Sequence, residues 1–179
     1  TLDRSSAASD VYKRQVSRVL KAAAFGLEGE IFLADSKHSE AIEVFTLAVE
    51  LEDQNNYTEP PDWPHPMRLY LGSALTNAKK FIAAEEVYRR DLDWNKNNGW
   101  SLFGLHQSLL LQGKTEEAEK IYKEFLLAWQ QADVELSDSY IKYRLGIWNS
   151  KLISLIRLPA KVLVATQREL YFMMIVHVW

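Results

Sequence analysis

Asp62 and His65 stand on either side of Trp63-Pro64, with Pro66 next, in the stretch of this chain whose residue types come nearest to chemistry. A carboxylate and an imidazole in a proline-stiffened loop can act as acid and base, or can ligate a metal ion. A protein metal site takes about three or four ligands, and Glu59 is the one further donor close by. The stronger reading is structural: Trp63 fills an apolar gap and the prolines set the direction of the next helix. His106 can likewise be a ligand or a base, but its position favours a partly buried imidazole bonded across two helices. His38 falls in a turn and His177 near the C-terminal end. There is no H-E-x-x-H, G-x-S-x-G, G-x-G-x-x-G or Gly-rich phosphate loop. Cysteine is absent, which excludes disulfides, thiol nucleophiles and cysteine-ligated zinc or iron–sulfur centres. Glu85-Glu86 and Glu116-Glu117 lie at helical spacing from Arg89, Arg90 and Lys120, and read as solvated ion-pair faces. These residues lead us to expect no catalytic residue, no metal and no cofactor, with the enzyme question leaning towards no.

The elements that hold these residues are bounded by composition. The 179 residues carry 21 Lys+Arg against 24 Asp+Glu, without the basic excess of a nucleic-acid binder. Six Trp, eight Tyr and seven Phe are too many for a disordered chain. The length suits one domain or a short repeat array. Residues 1–15 (TLDRSSAASDVYKRQ) are polar and lack an apolar helical stripe. They closely resemble translated sequencing adapter and are set apart as a non-domain tail. Residues 170–179 (LYFMMIVHVW) carry no formal charge, but Glu169 and Arg168 precede them. A membrane span needs about 20 apolar residues, so membrane contact is not favoured, and a hydrophobic tail or loosely docked helix is expected.

The middle of the chain repeats itself. AAEEVYRRDL around Ala84 and Tyr88 matches EAEKIYKEFL around Ala118 and Tyr122 at an offset of 34 residues. Leu71, Gly72 and Leu75 precede the first of these, and Leu105, His106 and Leu109 precede the second. An earlier copy holds Phe25, Gly29, Phe32, Ala41, Phe45 and Ala48, displaced by 43 residues from the middle copy. Small residues at Gly29 and Gly72, and at Ala41, Ala84 and Ala118, allow two helices to approach closely. The aromatic one turn on (Phe45, Tyr88, Tyr122) then fills the space beside that contact. One such hairpin has too little core to stand alone and must stack on its neighbours.

This pattern resembles the tetratricopeptide repeat, a helix–turn–helix unit of 34 residues. The resemblance covers roughly residues 20–132. It departs at Arg68, Asp91, His106 and Phe125, where the family has a bulky apolar residue at the first and small residues at the others. Residues 59–109, with a Pro-rich Trp motif, YRRDL and NGWSLFGL, are similar to the C-terminal part of a largely uncharacterised group of such proteins. That similarity implies a C-terminal fragment of a longer chain.

The expected fold is therefore all-α: an α-solenoid of about three hairpins over residues 16–133, then a capping helix and hydrophobic tail over 134–179. Helices are expected at 17–35, 38–53, 66–78, 81–93, 99–112 and 115–131. Gly113 closes the fifth as a left-handed cap, Thr115 caps the sixth, and Asn97-Asn98-Gly99 turns the chain between copies. Residues 55–66, with four prolines, form the long loop.

In such an array the first helices of the hairpins line a concave groove. Glu30, Leu69, Ser73, Asn77, Trp100, Phe103 and Gln107 fall on that side by spacing. Ser73, Asn77, Trp100, Phe103 and Gln107 are the expected ligand contacts, suited to a peptide or helix of a protein partner. Trp100 and Phe103 can alternatively pack against the preceding copy. Some family members clamp a terminal carboxylate with Lys, Arg and Asn, and here only Asn77 is in keeping. The alternative function is a fragment of an enzyme or metal protein whose active site lies mainly in a missing N-terminal region. Lack of cysteine fits a reducing cytoplasm without requiring it.

Overall fold

The computed structural model describes residues 2–55 and 65–140. Among these it forms six α-helices: α1 (Leu2–Ala34), α2 (His38–Asp53), α3 (Met67–Asn77), α4 (Phe81–Trp94), α5 (Gly99–Leu111) and α6 (Thr115–Ala128). Each helix packs on the next in the chain, and α3 also touches both α1 and α5. The odd-numbered helices thus form a row of their own, with even-numbered helices packed between them in sequence.

Three turns of one design join α1 to α2, α3 to α4 and α5 to α6. Each places one residue in the left-handed region, at Ser36 (φ 61°), Lys79 (φ 60°) and Gly113 (φ 78°). The next residue then donates its N–H back five positions, Lys37 to Phe32 O (2.8 Å), Lys80 to Leu75 O (2.9 Å) and Lys114 to Leu109 O (3.0 Å). This is the 6→1 bond that satisfies a carbonyl left open at a helix end. Only Gly113 announces its turn in the sequence. The expected side-chain cap at Thr115 does not form; Lys114 is the N-cap residue, and no side chain caps α6.

The small and aromatic positions meet in the first two copies as their spacing requires, whereas Tyr122 of the third copy is exposed and does not fill a buried gap. Ala41, Ala84 and Ala118 are fully buried. A methyl group added at Gly29 would lie 2.5 Å from the Phe45 ring. Tyr88 is held from two sides, because an added methyl would lie 2.4 Å from its ring carbon at Gly72 and 2.3 Å at Gly104. His106, larger than either glycine, sets its Nδ1 3.0 Å from the Ala118 carbonyl and its ring 4.7 Å from Tyr122. That is the cross-hairpin bond its position called for.

Polar groups tie the hairpins together. Asp91, buried where an alanine was the family norm, accepts from Asn95 Nδ2 (2.9 Å), Asn98 Nδ2 (2.9 Å) and Ser101 Oγ (2.5 Å). Asn98 in turn caps α5 by accepting the Trp100 N–H. One carboxylate therefore spans the end of α4 and the start of α5. Arg68 pairs with Asp53 at 2.6 Å, and Glu52 accepts the Met67 N–H at the start of α3.

Two expectations need correction besides Thr115. Glu85 does not sit on a solvated face: it is buried and receives Arg89, Gln112 and Lys114. Arg89 also reaches Glu117 on α6 at 2.6 Å. The first helix begins at Leu2, about fifteen residues earlier than its apolar stripe suggested. Residues 2–16 contain neither Gly nor Pro, so nothing in their composition stops a helix from running through them.

Candidate functional site

Of the expected contact residues, Ser73 and Asn77 lie on α3, and Trp100, Phe103 and Gln107 lie on α5. Asn77 is exposed, and Trp100, Phe103 and Gln107 are half-buried. Ser73 is buried, and its Oγ accepts from Asn77 Nδ2 at 3.4 Å. Leu69 is buried and Glu30 half-buried. Trp100 and Phe103 do have packing partners, but these follow them in the chain. The Trp100 ring meets Trp129 edge-on at 5.3 Å, and Phe103 lies 5.5 Å from Phe125.

The feature that spacing did not disclose is the segment after α6. Residues 134–140, expected to begin a capping helix, are not helical. The Asp138 carboxylate takes the Ser139 N–H at 2.7 Å, a local bond that competes with helix formation. Trp129 starts the reversal: its ring lies against Gly99, and its Nε1–H donates to the Val134 carbonyl at 2.7 Å. The chain then reaches α3. Ser139 Oγ donates to the Leu69 carbonyl (3.2 Å) and lies 2.6 Å from the Tyr88 hydroxyl. The Tyr140 ring packs against Tyr70 at a tilt of 43°, with centroids 4.7 Å apart. Ser139 and Tyr140 are both buried.

The electrostatics follow this burial. Burial raises the Tyr140 phenol well above its ordinary pKa, and the carboxylates of Glu30 on α1 and Asp138 add to the effect. Tyr88 is also raised, chiefly by burial. Both phenols stay protonated and available as donors. Successive residues from Trp129 to Tyr140 thus touch α5, then α3, then α1, crossing the odd-numbered helices in a non-helical path.

The positions equivalent to Leu69 and Ser73, one 34-residue offset later, are Phe103 and Gln107. The earlier pair is buried and the later pair is half-open. At these equivalent positions α3 is closed to solvent and α5 is partly open.

Of the residues in the acid–base reading, His65 alone is among the described residues. His65 is half-buried, and burial lowers its pKa, favouring neutral imidazole. Asp62, Glu59 and Trp63 lie outside the described residues, as do the C-terminal run and the rest of the expected capping helix. Among the described residues, no group of three His, Asp or Glu is placed to hold a metal ion, and no helix is long and apolar enough to cross a membrane. No protein-family model matches the chain, and no curated protein matches it either.

Proposed function

We propose that this chain is a tetratricopeptide-like α-solenoid that binds an extended segment of a partner protein across the face of α1, α3 and α5. One observation carries the reading: a non-helical stretch of polypeptide, residues 134–140, is already held on that face by side-chain and main-chain contacts. Three turns of one geometry, at offsets of 43 and then 34 residues, support the repeat assignment. The residual contact between odd-numbered helices supports placing them on the inner side of the array. Trp100, Phe103, Asn77 and Gln107 supply apolar area and amide groups there, and Ser73 orients Asn77. Amides matched to main-chain N–H and C=O groups, next to aromatic surface, suit an extended peptide.

The test is a peptide-array screen of the full chain, followed by titration of the best binders. Asn77→Ala with Gln107→Ala removes two accessible amides without touching the core. We expect about tenfold weaker binding, the loss of roughly two neutral hydrogen bonds, at unchanged helical signal. Unchanged affinity for every selected peptide overturns the reading.

A further inference from the structure

The α3 part of the interaction face is shaped for two adjacent groups. One is a hydroxyl, set between the Leu69 carbonyl, which accepts from it, and the Tyr88 hydroxyl, which is placed to donate to it. Tyr88 can reach this point because Gly72 and Gly104 leave its ring a passage between α3 and α5. The other is an aromatic ring, packed at a tilt against Tyr70, which itself lies 5.8 Å from Phe45 in the core. The Glu30 carboxylate of α1 interacts with the hydroxyl of that ring. Residues Ser139 and Tyr140 of the chain itself fill both places. Their attachment is non-local, reaching Leu69 across 70 residues.

We propose that residues 134–140 are an intramolecular occupant of the binding face, and that a partner displaces them with an extended segment carrying a Ser or Thr hydroxyl followed by an aromatic residue. This rests on the peptide-binding reading above. Two features fit displacement. The segment has no regular secondary structure of its own, and it is anchored at the far end by one indole bond, Trp129 to Val134. Residues 132–135 are exposed, so the strap can leave the face without any of the six described helices coming apart. While it is seated, a competing peptide sees only the open fraction of molecules, and its apparent affinity falls by that fraction.

The experiment uses the full chain and a fluorescent peptide of the sequence VELSDSY, copied from residues 134–140. It is titrated into the unaltered chain and into the variant Ser139→Ala/Tyr140→Ala, with circular dichroism confirming equal helicity. The expected result is binding at least about tenfold tighter to the variant, and no binding to either chain when the last two peptide residues are alanine. Hydrogen exchange over residues 132–140 of the unaltered chain provides a second readout that needs no variant. Excess VELSDSY is expected to speed exchange there, and the alanine peptide is not. Equal affinity for both chains, or unchanged exchange in the strap, overturns the proposal. A folded variant that ignores VELSDSY yet takes other extended peptides onto Phe103 and Gln107 overturns it too, while leaving the interaction reading intact. A variant that takes no extended peptide at all removes both.

Discussion

The Tyr88 hydroxyl lies 2.6 Å from Ser139 Oγ, across 51 residues of chain. Tyr88 belongs to the packing of α4, and Ser139 to the segment beyond α6, so this bond couples the core of one hairpin to the segment held against α3. Tyr88→Phe keeps the ring and removes the bond. The expected loss is about 1 kcal/mol of unfolding free energy by urea titration, the net worth of a buried neutral hydrogen bond. The coupling in a cycle with Ser139→Ala should be of similar size. Fully additive single effects would show that the two hydroxyls do not depend on each other.

The same ring makes Gly72 and Gly104 intolerant of any side chain. An alanine methyl at either site would lie well inside contact distance of the Tyr88 ring. Overpacking of this kind costs about 1–3 kcal/mol. Gly72→Ala and Gly104→Ala should each lower the thermal midpoint clearly, and the pair together should unfold at lower urea than either alone.

The three left-handed turn residues give a prediction of opposite signs. Ser36 and Lys79 hold φ near +60° with a Cβ present, whereas Gly113 does so without one and has open space around it. The left-handed region costs a residue with a Cβ about 1 kcal/mol. Lys79→Gly should therefore stabilise the chain by up to that amount, and Gly113→Ala should destabilise it by about the same. Chemical denaturation of the two variants side by side decides the matter, and equal effects of one sign would refute it.

Two glutamates set the pH response, in opposite directions. Burial alone would raise Glu85, but bonds from Lys114, Gln112 and Arg89 outweigh it and bring the carboxyl from 4.5 down to about 2. Its contribution is complete above pH 4.5 and is lost as the pH falls towards 2. Burial raises Glu52 from 4.5 to about 7, against the opposing Met67 N–H and Arg68. The folded state therefore holds a proton that the unfolded state has released, so stability declines as pH rises from 4.5 to 7 and is level beyond. Glu85→Gln should flatten the acid limb, and Glu52→Gln the limb up to pH 7, in urea midpoints measured from pH 3 to 8.

Much of this architecture was legible in the chain. The alternation of small and aromatic residues at Gly29/Phe45 and Gly72/Tyr88 located the close contacts, and Gly113 and Asn97-Asn98 marked two reversals. Ser36 and Lys79 were not legible as turn residues, because neither residue type favours positive φ; the 6→1 bonds to Phe32 and Leu75 hold them there. Asp91 read as a departure from the pattern, since its partners Asn98 and Ser101 are polar residues of ordinary turn and helix type. The strap was beyond reach for a different reason. Spacing rules describe neighbours within about two turns, and nothing local to Ser139 or Tyr140 points to Leu69 or Tyr70. Of the expected contacts, Asn77 is exposed, Trp100, Phe103 and Gln107 are half-buried, and Ser73 is buried.

The Asp91 knot decides how the molecule flexes. Helices that meet only through apolar surface can slip against one another, since such contacts have little directional preference. Between α4 and α5 a single carboxylate is bonded to groups on both sides of the reversal, with bond lengths that leave no room for sliding. That junction is a rigid joint. The angle at which α5 leaves α4 is therefore held by directional bonds as well as by apolar packing.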